Sequence, residues 1–304
     1  MAESLPVTSV WLTCQIPARD QRRGRYVRDT SRHPAKMLPH LATHAVSAYT
    51  APGDVVFDPM CGCGTTLVEA MHLGRHGIGV DTEPRYTALA KANVALAASQ
   101  GAAGTATVLT GDATGLLDLL PASAVGRVSL VLTSPPYGRG THGVVQTTST
   151  GVRKRNHLYG DRERGNLAYA EWSRLLDGFA AILAASYQLL RPGGTVVITS
   201  RPVRRKRDDL IDLPGELLAV AQSAGLVPVE RTAAMLAAVR DRQIVHRANM
   251  FGLLAVRRAR DEGIPVHLVA HEDVLVLRRR WKPCHAQELS GLARQTTELF
   301  TKLR

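Results

Sequence analysis

Val55-Val56-Phe57-Asp58-Pro59-Met60-Cys61-Gly62-Cys63-Gly64-Thr65-Thr66 is the stretch that decides the architecture of this 304-residue chain. Three apolar residues running into an acid read as a buried strand. The turn after it leads into a helix, Leu67-Val68-Glu69-Ala70-Met71, stopped at Gly74. Strand, glycine turn and helix start together make a seat for a nucleotide-like ligand. Gly62 and Gly64 let the backbone approach closely, and the free N–H groups of the helix start face a carboxylate or phosphate. The lysine of a phosphate-binding loop is missing, Thr65 and Thr66 standing in its turn, so a nucleoside triphosphate is disfavoured.

Towards the C-terminus the same device recurs. Gly77-Ile78-Gly79-Val80 ends at Asp81, 19 residues after Gly62 (81 − 62), the usual place of a ribose-holding acid. A helix over 83–99 leads to a strand over 106–110 and then to Gly111-Asp112-Ala113. A fourth strand, from Leu130, meets Ser134-Pro135-Pro136-Tyr137; the prolines lack N–H groups, so the strand must stop at Ser134. Carbonyls of Ser134 and Pro135, with the Ser134 hydroxyl beside the Tyr137 ring, make a rigid set of acceptors next to an aromatic face. Such a set suits a planar group that carries an exocyclic NH2. Any one of Asp58, Asp81 and Asp112 reads equally well as a helix cap. Four consecutive strand ends carrying such groups point instead to the carboxyl edge of one parallel sheet, where open α/β folds bind ligands.

A helix over 167–190, a strand over 195–199, a basic turn over 201–207, a helix over 214–224 and strands over 226–231 and 274–278 complete the pattern. Residues 33–280 read as one domain. It is preceded by a basic arm, 1–32, expected to have little structure of its own, and followed by a C-terminal helix, 281–304. His33-Pro34-Ala35-Lys36-Met37-Leu38-Pro39 opens a helical segment that ends near Pro52-Gly53. Two basic insertions, 139–166 and 232–270, interrupt the domain; a loop as long as the first is functional or disordered.

Lys and Arg number 38 against 26 Asp and Glu, a net charge of +12 that favours a polyanionic partner, with an Arg-rich soluble protein as the plain alternative. Cys14, Cys61, Cys63 and Cys284 are spaced too irregularly for a metal site and read as reduced thiols, so no metal is expected. No apolar leader and no run of eighteen apolar residues occurs. The expectation is a cytoplasmic protein with no membrane partner.

These motifs resemble the S-adenosylmethionine-dependent amino-methyltransferases of DNA, which act on cytosine N4 or adenine N6. The resemblance spans roughly residues 33–280. Asp58-Pro-Met-Cys-Gly-Cys-Gly-Thr-Thr is similar to the family's cofactor loop, with Met60 where a Phe is usual. Thr133-Ser134-Pro135-Pro136-Tyr137 matches the catalytic motif, in the serine form associated with cytosine N4. His33 to Pro39 is similar to the motif at the methionine end of the cofactor, and His271-Glu272-Asp273 to the closing element. The resemblance implies a Rossmann-like class I methyltransferase: a doubly wound, mostly parallel seven-stranded α/β sheet with helices on both faces and an antiparallel last strand.

It further implies S-adenosyl-L-methionine as cofactor, held by Lys36, Asp58, Pro59, Met60, Gly62, Gly64, Thr65, Asp81, Asp112 and Ala113. Asp58 would take the methionine ammonium, Asp81 the ribose and Asp112 the adenine amino group. Ser134, Pro135, Pro136 and Tyr137 would carry out transfer to an amino group, cytosine N4 first. Double-stranded DNA would be the partner, held by Arg139, Arg153, Lys154, Arg155, Arg204, Arg205 and Arg247, and a restriction-modification setting is expected. The cofactor half precedes the catalytic motif, an order also found in certain tRNA guanine-N2 methyltransferases, so RNA stands as the alternative. Adenine N6 is another, as is a non-catalytic nucleic-acid-binding protein on this fold. A dinucleotide oxidoreductase is disfavoured because the third glycine is lacking.

Overall fold

The computed structural model describes residues 8–137, 144–148, 151–155, 166–204, 209–247 and 250–280. Its centre is an eight-stranded sheet of β1 (Val10–Trp11), β2 (Val55–Asp58), β3 (His76–Asp81), β4 (Thr105–Thr110), β5 (Val128–Thr133), β6 (Leu190–Ser200), β7 (Leu226–Met235) and β8 (His271–Arg279). The spatial order is β1-β7-β8-β6-β5-β2-β3-β4. Only β8 runs against its neighbours, pairing antiparallel with both β6 and β7. All seven expected strands are present, and β1 adds an eighth by pairing parallel with β7.

Burial alternates along the strands. Val131, Val196, Ile198, Leu275 and Leu277 enter one core with Phe179, Ile182, Leu183 and Leu217. Leu130, Leu132, Val197, Val274 and Val276 enter the other with Leu41, Ala45, Val46 and Ala70. A sheet apolar on both faces must be covered on both, the condition for parallel strands in α/β folds. α5 (Trp172–Leu189) and α6 (Leu213–Ser223) cover the first face, α2 (Pro39–Tyr49) and α3 (Thr65–His72) the second, and α4 (Pro84–Ser99) stands beyond α3. α2 begins at Pro39 rather than His33, because the residue before a proline is held extended and Leu38 has φ −66° and ψ 134°.

The expectation of an unstructured arm over 1–32 is corrected for residues 8–32. This segment forms β1, α1 (Ala18–Arg22) and a 3-10 turn, Arg28–Arg32, and buries Trp11, Cys14, Gln21, Tyr26 and Thr30. Its anchor is Glu69 of α3, 1% exposed, which accepts from Arg25 Nε at 2.9 Å, Tyr26 Oη at 2.6 Å and Thr43 Oγ1 at 3.0 Å. A buried carboxylate costs several kcal/mol unless it is paired and hydrogen-bonded, so the segment supplies what Glu69 requires. Within 232–270, residues 232–235 complete β7. A hairpin of Ala237–Arg240 and Gln243–His246 follows, then α7 (Met250–Asp261). Within 139–166 the backbone forms an antiparallel hairpin, Val144–Thr148 with Gly151–Arg155. The expected C-terminal helix over 281–304 lies outside the described residues.

Candidate active site

After β4 the chain returns to the centre of the sheet to form β5 beside β2, which makes the carboxyl ends of β2 and β5 the switch point of this topology. A cavity of about 400 Å³ opens there. Nine of the ten expected cofactor residues and all of Ser134, Pro135, Pro136 and Tyr137 line it; Gly64 does not. Gly64 instead begins α3 with φ +79°, and a Cβ there would sit 3.1 Å from Ala90 Cβ, so its bareness lets α3 approach α4. Gly62, φ +50°, lies against the buried His33 ring, 2.7 Å from where its own Cβ would be. That ring is tilted on Tyr86 with centroids 4.2 Å apart.

The acids at the strand ends are tightly held. Asp58, 4% exposed, accepts from Met60 N at 3.1 Å and from Thr66 Oγ1 at 2.6 Å. Burial holds its carboxyl up at about 6, against these two donors. Asp81 accepts from Gly62 N and from Glu83 N, both at 2.9 Å, and burial raises it to about 6 as well. No ion pair to either acid exists among the described residues. Asp112 is an exposed N-cap that accepts from Thr114 N at 2.9 Å while still lining the cavity. Lys36 lines it too; its ammonium donates to the His33 carbonyl, and burial lowers its pKa.

The wall facing these acids comes from elsewhere in the chain. Pro135 and Tyr137 are buried and Ser134 is half-buried; the Ser134 and Tyr137 side chains are hydrogen-bonded. The Arg201 guanidinium lies over the Tyr137 ring, 5.3 Å from its centroid. Burial pushes the Tyr137 phenol above the ordinary tyrosine range, and the charge of Glu272 adds to the shift. Burial also raises Glu272, against the pull of Arg201. Sequence reasoning assigned no site role to Glu83, Asn166, Arg201, Leu236 or Glu272, all of which line the cavity. Glu83 is 4% exposed and accepts from Asn166 Nδ2 at 2.9 Å. Two residues past Asp81, it was readable as a second acid at the same strand end.

A second cavity of about 850 Å³ adjoins the first through Leu38, Arg201 and Leu236. Arg204, His246, Arg247 and the α7 residues Ala255, Val256 and Ala259 line it. Of the cations expected to hold nucleic acid, Arg204 and Arg247 thus meet beside the site; Arg247 also donates to the Gln15 carbonyl at 3.3 Å. Arg153, Lys154 and Arg155 lie on the hairpin, where only the backbone is described. Arg139 and Arg205 fall outside the described residues. Among the described residues no cluster of His, Cys, Asp or Glu could hold a metal ion, and no helix is long and apolar enough to cross a membrane.

Asp58 and Asp81, buried carboxyls with no ion pair among the described residues, suit a positively charged group of a ligand. The positive charges of S-adenosylmethionine are compatible with these acids, Asp58 being the one that would face the ammonium and Lys36 the cation that would face the carboxylate.

Residues 2–92 match the family model described as DNA methylase. The Type II methyltransferase M2.DpnII of Streptococcus pneumoniae is 40% identical over 60 residues, 20% of this chain and 22% of that protein. The Type II methyltransferase M.MjaII of Methanocaldococcus jannaschii is 32% identical over 65 residues, 21% of this chain and 12% of that protein. The matched stretches thus span less than a quarter of the length of these relatives. Among solved structures, TrmN from Thermus thermophilus aligns with a TM-score of 0.49 at 18% identity, over 85% of this chain and 53% of its own. Residues 2–92 are thus similar to the DNA methylase family, and the stretches shared with these two type II methyltransferases carry the same likeness.

Proposed function

We propose that this protein transfers a methyl group from S-adenosylmethionine to an exocyclic amino group of a base in DNA, with cytosine N4 as the target. One observation carries the reading: a single cavity joins an acid-lined ligand seat at the end of β2 to the Ser134-Pro135-Pro136-Tyr137 acceptors at the end of β5. DNA as substrate follows from the family's description and from the relatives' name as type II methyltransferases.

When bound, S-adenosylmethionine supplies an electrophilic methyl on a sulfonium. The chain's residues do the rest by positioning. An aromatic amine is a weak nucleophile because its lone pair is delocalised into the ring. The Ser134 oxygen and the Pro135 carbonyl accept its two hydrogens, draw the nitrogen towards tetrahedral geometry and free the pair for attack. Held in this way, the freed pair would be aimed at the methyl that the bound cofactor would supply, with Ser134 and Pro135 fixing the direction of approach. Asp58, Asp81 and Asp112 hold the donor, while Tyr137 offers a ring to the base. In duplex DNA the target must be turned out of the stack, at about a few kcal/mol.

Labelled methyl transfer to duplex DNA, single-stranded DNA and tRNA, with the modified nucleoside identified by mass spectrometry, tests the reading. N4-methylcytosine in DNA is the expected product. N6-methyladenine would keep the reaction and correct the base, methylated guanine in tRNA would replace the substrate, and no product on any of the three would refute the function.

A further inference from the structure

Arg201 and Glu272 occupy the places just beyond the last pair of the β6–β8 ladder. Ser200 is opposite Asp273, and because these strands are antiparallel the next positions set Arg201 against Glu272. Both line the cavity together with Ser134, Pro135 and Tyr137. The guanidinium lies on the Tyr137 ring, and among the described residues no carboxylate lies within ion-pair distance of it. Glu272 acts on it through the field alone. A half-buried fork of N–H donors therefore stands in the wall of a cavity whose floor is a set of acceptors.

A base presented to that floor by its amino group turns the rest of its pairing edge towards a neighbouring wall. Along this edge cytosine shows the amino donor and then two acceptors, the ring nitrogen N3 and the carbonyl O2. Adenine shows one acceptor beside its amino group. Guanine shows a second donor, N1–H, and only then an acceptor. A guanidinium offers parallel N–H groups and no acceptor, so cytosine alone satisfies two of its donors at once. Guanine in a base pair reads cytosine with the same donor pair.

We propose that Arg201 is the base-selecting residue of this site, donating in bidentate fashion to N3 and O2 of a cytosine whose amino group lies on Ser134 and Pro135, with the Tyr137 ring and Glu272 keeping the guanidinium in place. The inference rests on the amino-methyltransferase reading above and adds a residue and a rule of recognition to it.

The test uses the full chain, S-adenosylmethionine and short single-stranded oligodeoxynucleotides carrying one cytosine, one 3-deazacytosine, one adenine or one guanine. The wild-type protein is compared with Arg201→Met and Arg201→Lys. Wild type is expected to prefer cytosine to 3-deazacytosine by about tenfold or more in kcat/KM, the scale of a good bidentate base contact. Arg201→Met is expected to lose about as much on cytosine and to treat the two bases alike within about threefold, and Arg201→Lys to fall between. The intrinsic reactivity of the deaza amine enters all three proteins equally and cancels. Binding of S-adenosylhomocysteine, measured by calorimetry, reports whether the variants keep a formed cofactor site; if Arg201→Met does not, Arg201→Lys and the wild-type preference decide. Unchanged discrimination in a formed variant, or a wild type that prefers adenine or guanine, overturns the inference alone. A wild type that methylates none of the four, nor duplex DNA nor tRNA, overturns the reading beneath it and the inference as well.

Discussion

The two walls of the cavity are built on opposite plans. The wall from Asp58 to Glu83 is satisfied from within: each oxygen of Asp58 and of Asp81 accepts a hydrogen bond from a group no more than 19 residues away. The facing wall brings together Tyr137, Arg201, Leu236 and Glu272, four residues from separate strand ends, with the Arg201 guanidinium over the Tyr137 ring. The first is held by hydrogen bonds between near neighbours in sequence, the second by contacts between distant parts of the chain. Sequence similarity divides them in the same way, since the family match covers residues 2–92 and stops before the second wall begins.

If the walls are separable, substitutions on one leave the function of the other intact. The largest effect is expected from Ser134→Ala, which should lower single-turnover methyl transfer by about 10²–10³-fold, as loss of one oriented polar contact to the reacting group does elsewhere. Its cofactor affinity, by calorimetry, should stay within about twofold; a parallel loss of affinity would show the walls to be one unit.

Asp58→Asn probes the first wall itself. Cofactor affinity is expected to fall about 10- to 100-fold, the scale of one charge-assisted hydrogen bond. The same variant should be the more stable protein at pH 8 without cofactor. Burial raises the Asp58 carboxyl from 3.8 to about 6. The stability that comes from its protonation is fully present below about pH 4 and is lost as pH rises through 6. The gap between variant and wild type should therefore widen by about 2–3 kcal/mol from pH 4 to pH 7. Urea unfolding at both pH values measures it, and a constant gap would contradict the raised pKa.

A third substitution separates support from chemistry. Glu69→Gln leaves Arg25 without its carboxylate and is expected to cost about 2 kcal/mol in urea unfolding, with base discrimination unaltered. The smallest effect belongs to Arg247→Ala at the second cavity. It should leave stability within about 0.5 kcal/mol while lowering the slope of log affinity against log salt for DNA by about 1. An unchanged slope would remove Arg247 from the phosphate contacts.

The first wall was legible in the sequence because each of its parts is written in contiguous residues. Asp58 followed by glycines, Asp81 after an apolar strand and Ser134 before two prolines announce a strand end without reference to anything distant. The facing wall was not legible in that way. Arg201 reads locally as part of a basic turn and Glu272 as the approach to a last strand; only the reversed direction of β8 brings the start of one strand level with the end of another. Residues 8–32 misled for a different reason. Their arginines imply a solvated face, yet Trp11, Tyr26 and Thr30 are buried by partners 40 to more than 200 residues away. No local periodicity records such contacts.

The parallel pairing of β1 with β7 carries a consequence for the order of folding. Tyr26 and Val27 find their partners, Glu69 and Asn93, 43 and 66 residues further along the chain. By contrast, Ser9 accepts from Ala233 N, Thr13 donates to the Met235 carbonyl and Gln15 accepts from Val239 N. On a ribosome the second half of this short segment can therefore lodge early, while the first half must wait for more than 200 further residues to emerge. Residues 9–15 are therefore among the last to reach their place, and until they do one edge of the sheet stays open to pairing with another chain.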